Sequence, residues 1–179
     1  MIVLSFAFFC TACTNTANLQ RPTAALRDVK LGEVNGQGFT MNFAVDVNNP
    51  NSVKLPVSAA NYKLAFGGVQ VVDGKAKPDE AIPANGSSTV NVPVHLNFED
   101  LLKAKQAIVA SRGDVPFSFD GSMDFGGGLA SMFGQDVRVP LQYSGTVPLR
   151  SLLNNPQVLL NSPAARELAT WGLGQMMGK

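Results

Sequence analysis

The sequence predicts a mainly β protein: an antiparallel, Greek-key-like β-sandwich of about seven strands, with one packed α-helix and a further helix near the C-terminus. Three observations carry this prediction. Apolar and polar residues alternate in segment after segment, most clearly over Phe39-Thr40-Met41-Asn42-Phe43-Ala44-Val45-Asp46-Val47. Successive side chains on a strand point to opposite faces, so such a segment has one dry face and one wet face. Clusters of Gly, Pro and Asn separate the alternating segments at short intervals. A chain of 179 residues has the size of one domain and buries a full core without disulfide or metal staples.

The first strand spans Leu26 to Val34, with Val29 and Leu31 on one face and Asp28 and Lys30 on the other. Asn35-Gly36-Gln37-Gly38 then supplies turn residues. The second strand is the alternating run that starts at Phe39, and Asn49-Pro50-Asn51 ends it, because proline cannot donate to a ladder and asparagine favours turns. Tyr62, Leu64 and Phe66 form the dry side of the next strand, and Gly67-Gly68 makes a tight hairpin into Val69 to Lys75. A polar loop containing Pro78, Pro83, Asn85 and Gly86 leads to Val90, Val92, Val94, Leu96 and Phe98. Pro93 within that strand marks an edge, or a position whose amide is turned away from a partner.

One helix follows, capped by Asn97, favoured at its positive end by Glu99 and Asp100, and closed by Gly113. Its stripe Leu101, Leu102, Ile108 and Val109 packs on the sandwich. Strands resume at Val115, Phe117 and Phe119, continue to Met123 and Phe125, and return as Val137, Val139, Leu141 and Tyr143 after a Gly-rich loop. Ser162 is suited to cap a terminal helix with Pro163 in its first position; Leu168, Trp171 and Met176 line one side, while Gly172 and Gly174 weaken it.

The N-terminus differs from the rest. Met1 to Ala12 is uncharged and apolar, long enough for the apolar region of a signal peptide and too short to span a bilayer. Cys10-Thr11-Ala12-Cys13 resembles a bacterial lipobox, in which small residues precede a cysteine that is lipidated and becomes the new N-terminus. Residues 1–12 are thus expected to be removed, Cys13 to be acylated, and 13–24 to form a polar tether. Cleavage and acylation would leave no free thiol. The domain proper is expected over 25–150, with 151–179 as an extension. The residue after Cys13 is Thr14, with no aspartate there. By resemblance to lipoprotein sorting, this points to the outer membrane, facing the periplasm.

Chemistry is not evident. His95 is the only histidine, and it has no cysteine pair or second histidine with which to complete a zinc set. No Gly-x-Ser-x-Gly elbow occurs, and Gly126-Gly127-Gly128 is followed by no Gly-Lys-Ser/Thr. No nucleophile, base and orienting group assemble, so no catalytic residue, metal or cofactor is expected. Lys and Arg number 14 against 13 Asp and Glu; this near-neutrality argues against a nucleic-acid partner, which needs a basic surplus. Leu129, Met132 and Phe133 stand among small residues at a loop tip and form a candidate contact loop; the alternative is that they cap the end of the sandwich.

Four segments occur in an order that carries a family resemblance. They are Leu26-Arg27-Asp28-Val29-Lys30-Leu31; Phe43 to Asn48 running into Asn49-Pro50-Asn51; Tyr62-Lys63-Leu64 followed by Gly67; and Ile82-Pro83-Ala84-Asn85-Gly86 with Val90-Asn91-Val92-Pro93-Val94. Together they resemble the LEA type 2 family, also called the WHy (water stress and hypersensitive response) domain, over Leu26 to about Leu149. The resemblance implies an antiparallel sandwich with one helix, protection during dehydration, cold or other stress, and no catalytic residues. The implied partners are the membrane, through the N-terminal lipid, and partly unfolded proteins or envelope components; a monomer is expected. The competing reading is an envelope-assembly or lipid-handling lipoprotein. A space between the sheets wide enough for an acyl chain would favour it, and a filled core would count against it.

Overall fold

The computed structural model describes residues 20–111, 114–126, 137–148 and 156–177, with side chains over 159–171 in the final helical stretch. Two antiparallel sheets face each other. In the first, β1 (Thr23–Val34), β2 (Gly38–Asn49) and β6 (Gly86–Asn97) lie in the order β1-β2-β6. In the second, β3 (Leu55–Phe66), β4 (Val69–Ala76), β7 (Val115–Phe125) and β8 (Val137–Val147) lie in the order β4-β3-β7-β8, and the two-residue β5 (Ala81–Ile82) pairs with β3. The chain crosses between sheets after β2, after β5 and after β6, which gives the interleaved order of a Greek key.

The alternation read from the sequence becomes burial. Phe43, Val45, Val47, Val90, Val94, Leu64, Phe66, Met123 and Phe125 are fully buried between the sheets. The aromatic centre is tight: Phe43 stacks on Phe119 with centroids 4.3 Å apart and meets Phe117 edge-on at 6.3 Å. Pro93 lies on an edge strand as expected, since β6 pairs only with β2. The Gly67-Gly68 turn forms with φ of +54° and +84°, values that only glycine adopts freely and that suit the twist of a tight hairpin.

Four features differ from expectation. β3 begins at Leu55, well before Tyr62; a bulge between Val57 and Ala59 puts Ala59 and Ala60 both in buried positions, which destroys the alternation locally. β1 begins at Thr23, so the last two residues of the expected tether are already paired to β2. Leu31 shares the face of Val29 but remains 43% exposed, because β1 is an edge strand and its register shifts between Leu31 and Val34. The expected single helix is broken into α1 (Phe98–Leu101), a 3-10 turn (Leu102–Ala104) and α2 (Lys105–Ala110), and Asn97 makes no side-chain cap. Tertiary contacts replace the cap: the Phe98 N–H donates to the Gln37 carbonyl at 2.9 Å, and Phe98, Leu101 and Ala104 are buried. Gly113 lies outside the described residues.

The C-terminal stretch forms α3 (Pro156–Asn161) and α4 (Pro163–Met177). Ser162 caps α4, its hydroxyl accepting from the Ala165 N–H at 3.1 Å. Ala164, Ala165 and Leu168 join the main core. Trp171 is not on that buried side: it is 43% exposed and lies under Lys105, whose Nζ is 4.1 Å from the ring centroid.

Candidate functional site

The wet face of the β1-β2-β6 sheet is a long, regular surface built on the three strands. β2 and β6 pair over twelve residues without a register shift, from Gly38↔Asn97 to Asn49↔Gly86. The outward positions carry hydroxyls and amides: Thr40, Asn42 and Asn48 on β2, Ser87, Thr89 and Asn91 on β6. Where these side chains meet, they bond across the strands. Ser87 donates to Asn48 Oδ1 at 3.0 Å, and Thr89 to Asp46 Oδ1 at 2.6 Å. Arg27 of β1 approaches Asp46 at 3.6 Å, and Lys30 approaches Asp28 at 3.5 Å. The carboxylates that the sequence places on this face therefore lie beside cations, which leaves a surface dominated by neutral hydrogen-bonding groups.

His95 belongs to this face. Its Nδ1 shares a hydrogen bond of 2.9 Å with Thr40 Oγ1, and among the described residues it has no carboxylate beside it to orient the ring as a base. No group of three metal-ligating side chains occurs among the described residues.

Asn49-Pro50-Asn51 lies at the end of the sandwich where β2 crosses to β3. Asn49 and Asn51 are buried. Asn49 Nδ2 donates to the carbonyls of Val53 at 2.8 Å and Pro83 at 3.0 Å, while its Oδ1 accepts from the N–H and the Nδ2 of Asn51, both at 3.1 Å. Asn51 in turn clasps the entering chain. The Gln20 N–H donates to Asn51 Oδ1, and Asn51 Nδ2 donates to the Gln20 carbonyl, both at 2.9 Å. The Asn51 carbonyl accepts from the Asn85 N–H at 2.8 Å, and Asn85 holds a φ of +48°, which asparagine tolerates better than other side chains. Two buried amides thus join the β2–β3 crossing, the loop before β6 and the N-terminal segment. Cys13 and the loop residues Leu129, Met132 and Phe133 lie outside the described residues.

One further polar cluster was not anticipated from the sequence. On the wet face of the larger sheet, Asp124 is forked by Arg138, with Nε at 2.7 Å and Nη2 at 3.0 Å, and Asn61 Nδ2 donates to it at 2.9 Å. The Arg138 hydrogen bonds hold the Asp124 carboxyl below its ordinary value; burial opposes the shift, and Asn61 and Lys75 reinforce it. A depressed pKa stabilises the fold above the unfolded value of about 3.9 and is lost as pH falls through it toward the folded value. The native protein should therefore exceed Asp124→Asn in stability at about pH 7, with the gap closing below about pH 4. Urea melts across that range measure it, and a gap that persists unchanged in acid would show that the pair contributes nothing through its charge.

A family model described as late embryogenesis abundant protein matches residues 44–145, from within β2 to near the end of β8. The chain is similar to late embryogenesis abundant protein Lea14-A of Gossypium hirsutum, with 23% identity over 136 residues that cover 76% of this chain and 87% of that protein. It is also similar to desiccation protectant protein Lea14 homolog of Glycine max, with 24% identity over 135 residues that cover 75% and 86% of the two chains. Among solved structures, a protein of Arabidopsis thaliana determined in solution has a similar fold, with a TM-score of 0.58 and 18% identity over 73% of this chain and 83% of that one.

Proposed function

The chain belongs to the LEA type 2 family of late embryogenesis abundant proteins, and from that premise we propose that it is a non-enzymatic protectant against desiccation, cold or related stress, tethered to the cell envelope through an acylated Cys13. The observation that carries the protective part is the outward face of the continuously paired β2 and β6, on which hydroxyls and amides outnumber Ala44, Asp46 and Pro93. As water is withdrawn, exposed backbone and headgroup oxygens of neighbouring molecules lose their hydrogen-bond partners, and an unmet polar group costs about 1–3 kcal/mol. A rigid sheet that presents neutral donors and acceptors offers replacements. Because its charges are largely paired, its contacts stay weak and unselective. The name of the Glycine max relative, a desiccation protectant protein, supports the same reading.

The expected membership of the envelope rests on the apolar run before Cys13 and on the tether after it. An acyl chain contributes about 0.8 kcal/mol per buried methylene, so a multiply acylated cysteine is a firm anchor. The lipid-handling alternative needs room between the sheets. Phe43, Phe117, Phe119 and Met123 fill that space, which argues against it.

The test is drying. A labile enzyme dried and rehydrated with this protein should recover several-fold more activity than with an equal mass of an inert protein, and the protein itself should hydrolyse nothing. Thr40→Val combined with Asn91→Val keeps strand-forming side chains while removing polar groups from the face, and this variant should protect less. Recovery no better than with the inert protein would end the protective reading.

A further inference from the structure

We propose that the end of the sandwich bearing Asn49 and Asn51 faces the bilayer, and that Arg21 and Lys54 on it meet anionic lipid headgroups; the anchoring at Cys13 is taken from the functional reading above. The argument begins with the clasp. Gln20 is held to Asn51 by two reciprocal hydrogen bonds, so the position of the chain at residue 20 is fixed relative to the domain. Seven residue steps separate Cys13 from Gln20, and a fully extended chain covers roughly 3.5 Å per step, so this point lies within about 25 Å of the anchor. The twelve-residue strands make the sandwich about 40 Å long. A tether shorter than the body, fastened at one end of it, brings that end to the membrane.

The two ends differ in charge. Among the described residues, the clasped end includes residues 20–21, the 50–54 crossing and the 83–85 loop, joined by the hydrogen bonds of Asn49 and Asn51, with Gly126 beside Pro56. Its described residues include Arg21 and Lys54, both exposed, and no carboxylate. Neither cation forms an ion pair among the described residues, and Val53 between them and the turn is 38% exposed. Asp79 and Glu80 lie farther along, beside Val57, and follow Lys77. The opposite end holds the 35–37 and 67–68 turns and the helices; Glu33, Glu99, Asp100, Asp114 and Glu167 lie near it against Lys103, bonded to Asp100, Lys105, bonded to Glu167, and Arg166, so its described residues carry a net negative charge. Positive charge near the tether and negative charge at the far end favour the same orientation on an anionic surface.

Trp171 is the only tryptophan and lies at the far end against Lys105, so the protein carries its own reporter. The full chain, with Cys10→Ser, is coupled through Cys13 to a maleimide lipid in vesicles of phosphatidylglycerol and phosphatidylethanolamine that contain a dansyl headgroup lipid. Energy transfer from tryptophan to dansyl is then read. Coupling supplies the anchor chemically, so orientation is measured whether or not the cell acylates Cys13. Acylation is read separately, as labelled palmitate on the native protein but not on Cys13→Ser. Trp171 should transfer weakly. The double variant Trp171→Phe, Val53→Trp should transfer several-fold more, as should Trp171→Phe, Ala84→Trp, which guards against a folding defect in the first. Adding Arg21→Glu and Lys54→Glu to either should at least halve its transfer. Transfer from Trp171 as strong as from position 53 or 84 would overturn the orientation, and transfer unchanged by the charge reversal would overturn the headgroup contact.

Discussion

Replacing Phe43 by alanine should cost about 3–5 kcal/mol of folding stability, the range for removing a large aromatic side chain from a packed core. Phe43 is fully buried, stacks on Phe119 at 4.3 Å and meets Phe117 edge-on. It comes from the smaller sheet and its ring partners from the larger, so its loss opens a void in the interface between the two layers. Neighbouring side chains come from regular strands and have little freedom to collapse into that void. Asn42, one residue earlier, points the opposite way, and Asn42→Ala should change stability by no more than about 0.5 kcal/mol. Denaturant melts of the two variants at equal concentration make the comparison. Similar small losses would mean that the two sheets do not meet at Phe43.

Asn49→Ala should be nearly as damaging, at about 3–5 kcal/mol, although the side chain is polar and adjoins a turn. Its amide makes four hydrogen bonds: two donated to the Val53 and Pro83 carbonyls and two accepted from Asn51. Removing it leaves several buried groups unmet, each at a cost of about 1–3 kcal/mol. Asn49→Asp is the sharper probe. Aspartate retains the oxygen that accepts from Asn51 but turns a second oxygen toward two carbonyl oxygens. At neutral pH it should lose at least as much as alanine, and in mild acid, where a protonated carboxyl can again donate, part of the loss should return. An aspartate variant as stable as the native protein at neutral pH would show that the donor side of this amide is dispensable. A double-mutant cycle with Asn51→Ala should show strong coupling, since the two amides bond to each other.

The strands that the sequence announces most clearly are those whose two faces meet different surroundings along their full length. β2 and β6 alternate cleanly because each has the core on one side and water on the other. The first half of β3 was hidden because its bulge makes two successive alanines buried, and because Pro56 looks like a terminator until the pairing of β3 with β5 and β7 is seen. The break within the helical stretch was hidden for a related reason. Helical periodicity suggested one continuous apolar stripe, but burial of Phe98, Leu101 and Ala104 against the sandwich takes precedence over a continuous helix. Asn49-Pro50-Asn51 could be read as the end of a strand, but not as a network. Its partners Gln20 and Pro83 lie 31 and 34 residues away in the chain, and nothing in a turn motif names them.

By itself the sequence determined which side of most strands is dry, where β2 and β3–β4 turn, and that Ser162 and Pro163 open the last helix. These are local properties: alternation, φ preference and capping act within a few residues, whatever the rest of the chain does. Only the tertiary structure decided which strands share a sheet, that Arg138 reaches Asp124, and that Asn51 clasps Gln20. Each of those depends on bringing distant segments together, and that is settled by how the buried faces of all the strands pack at once, because a hydrogen bond across the fold exists only after the core has set the distance between its partners.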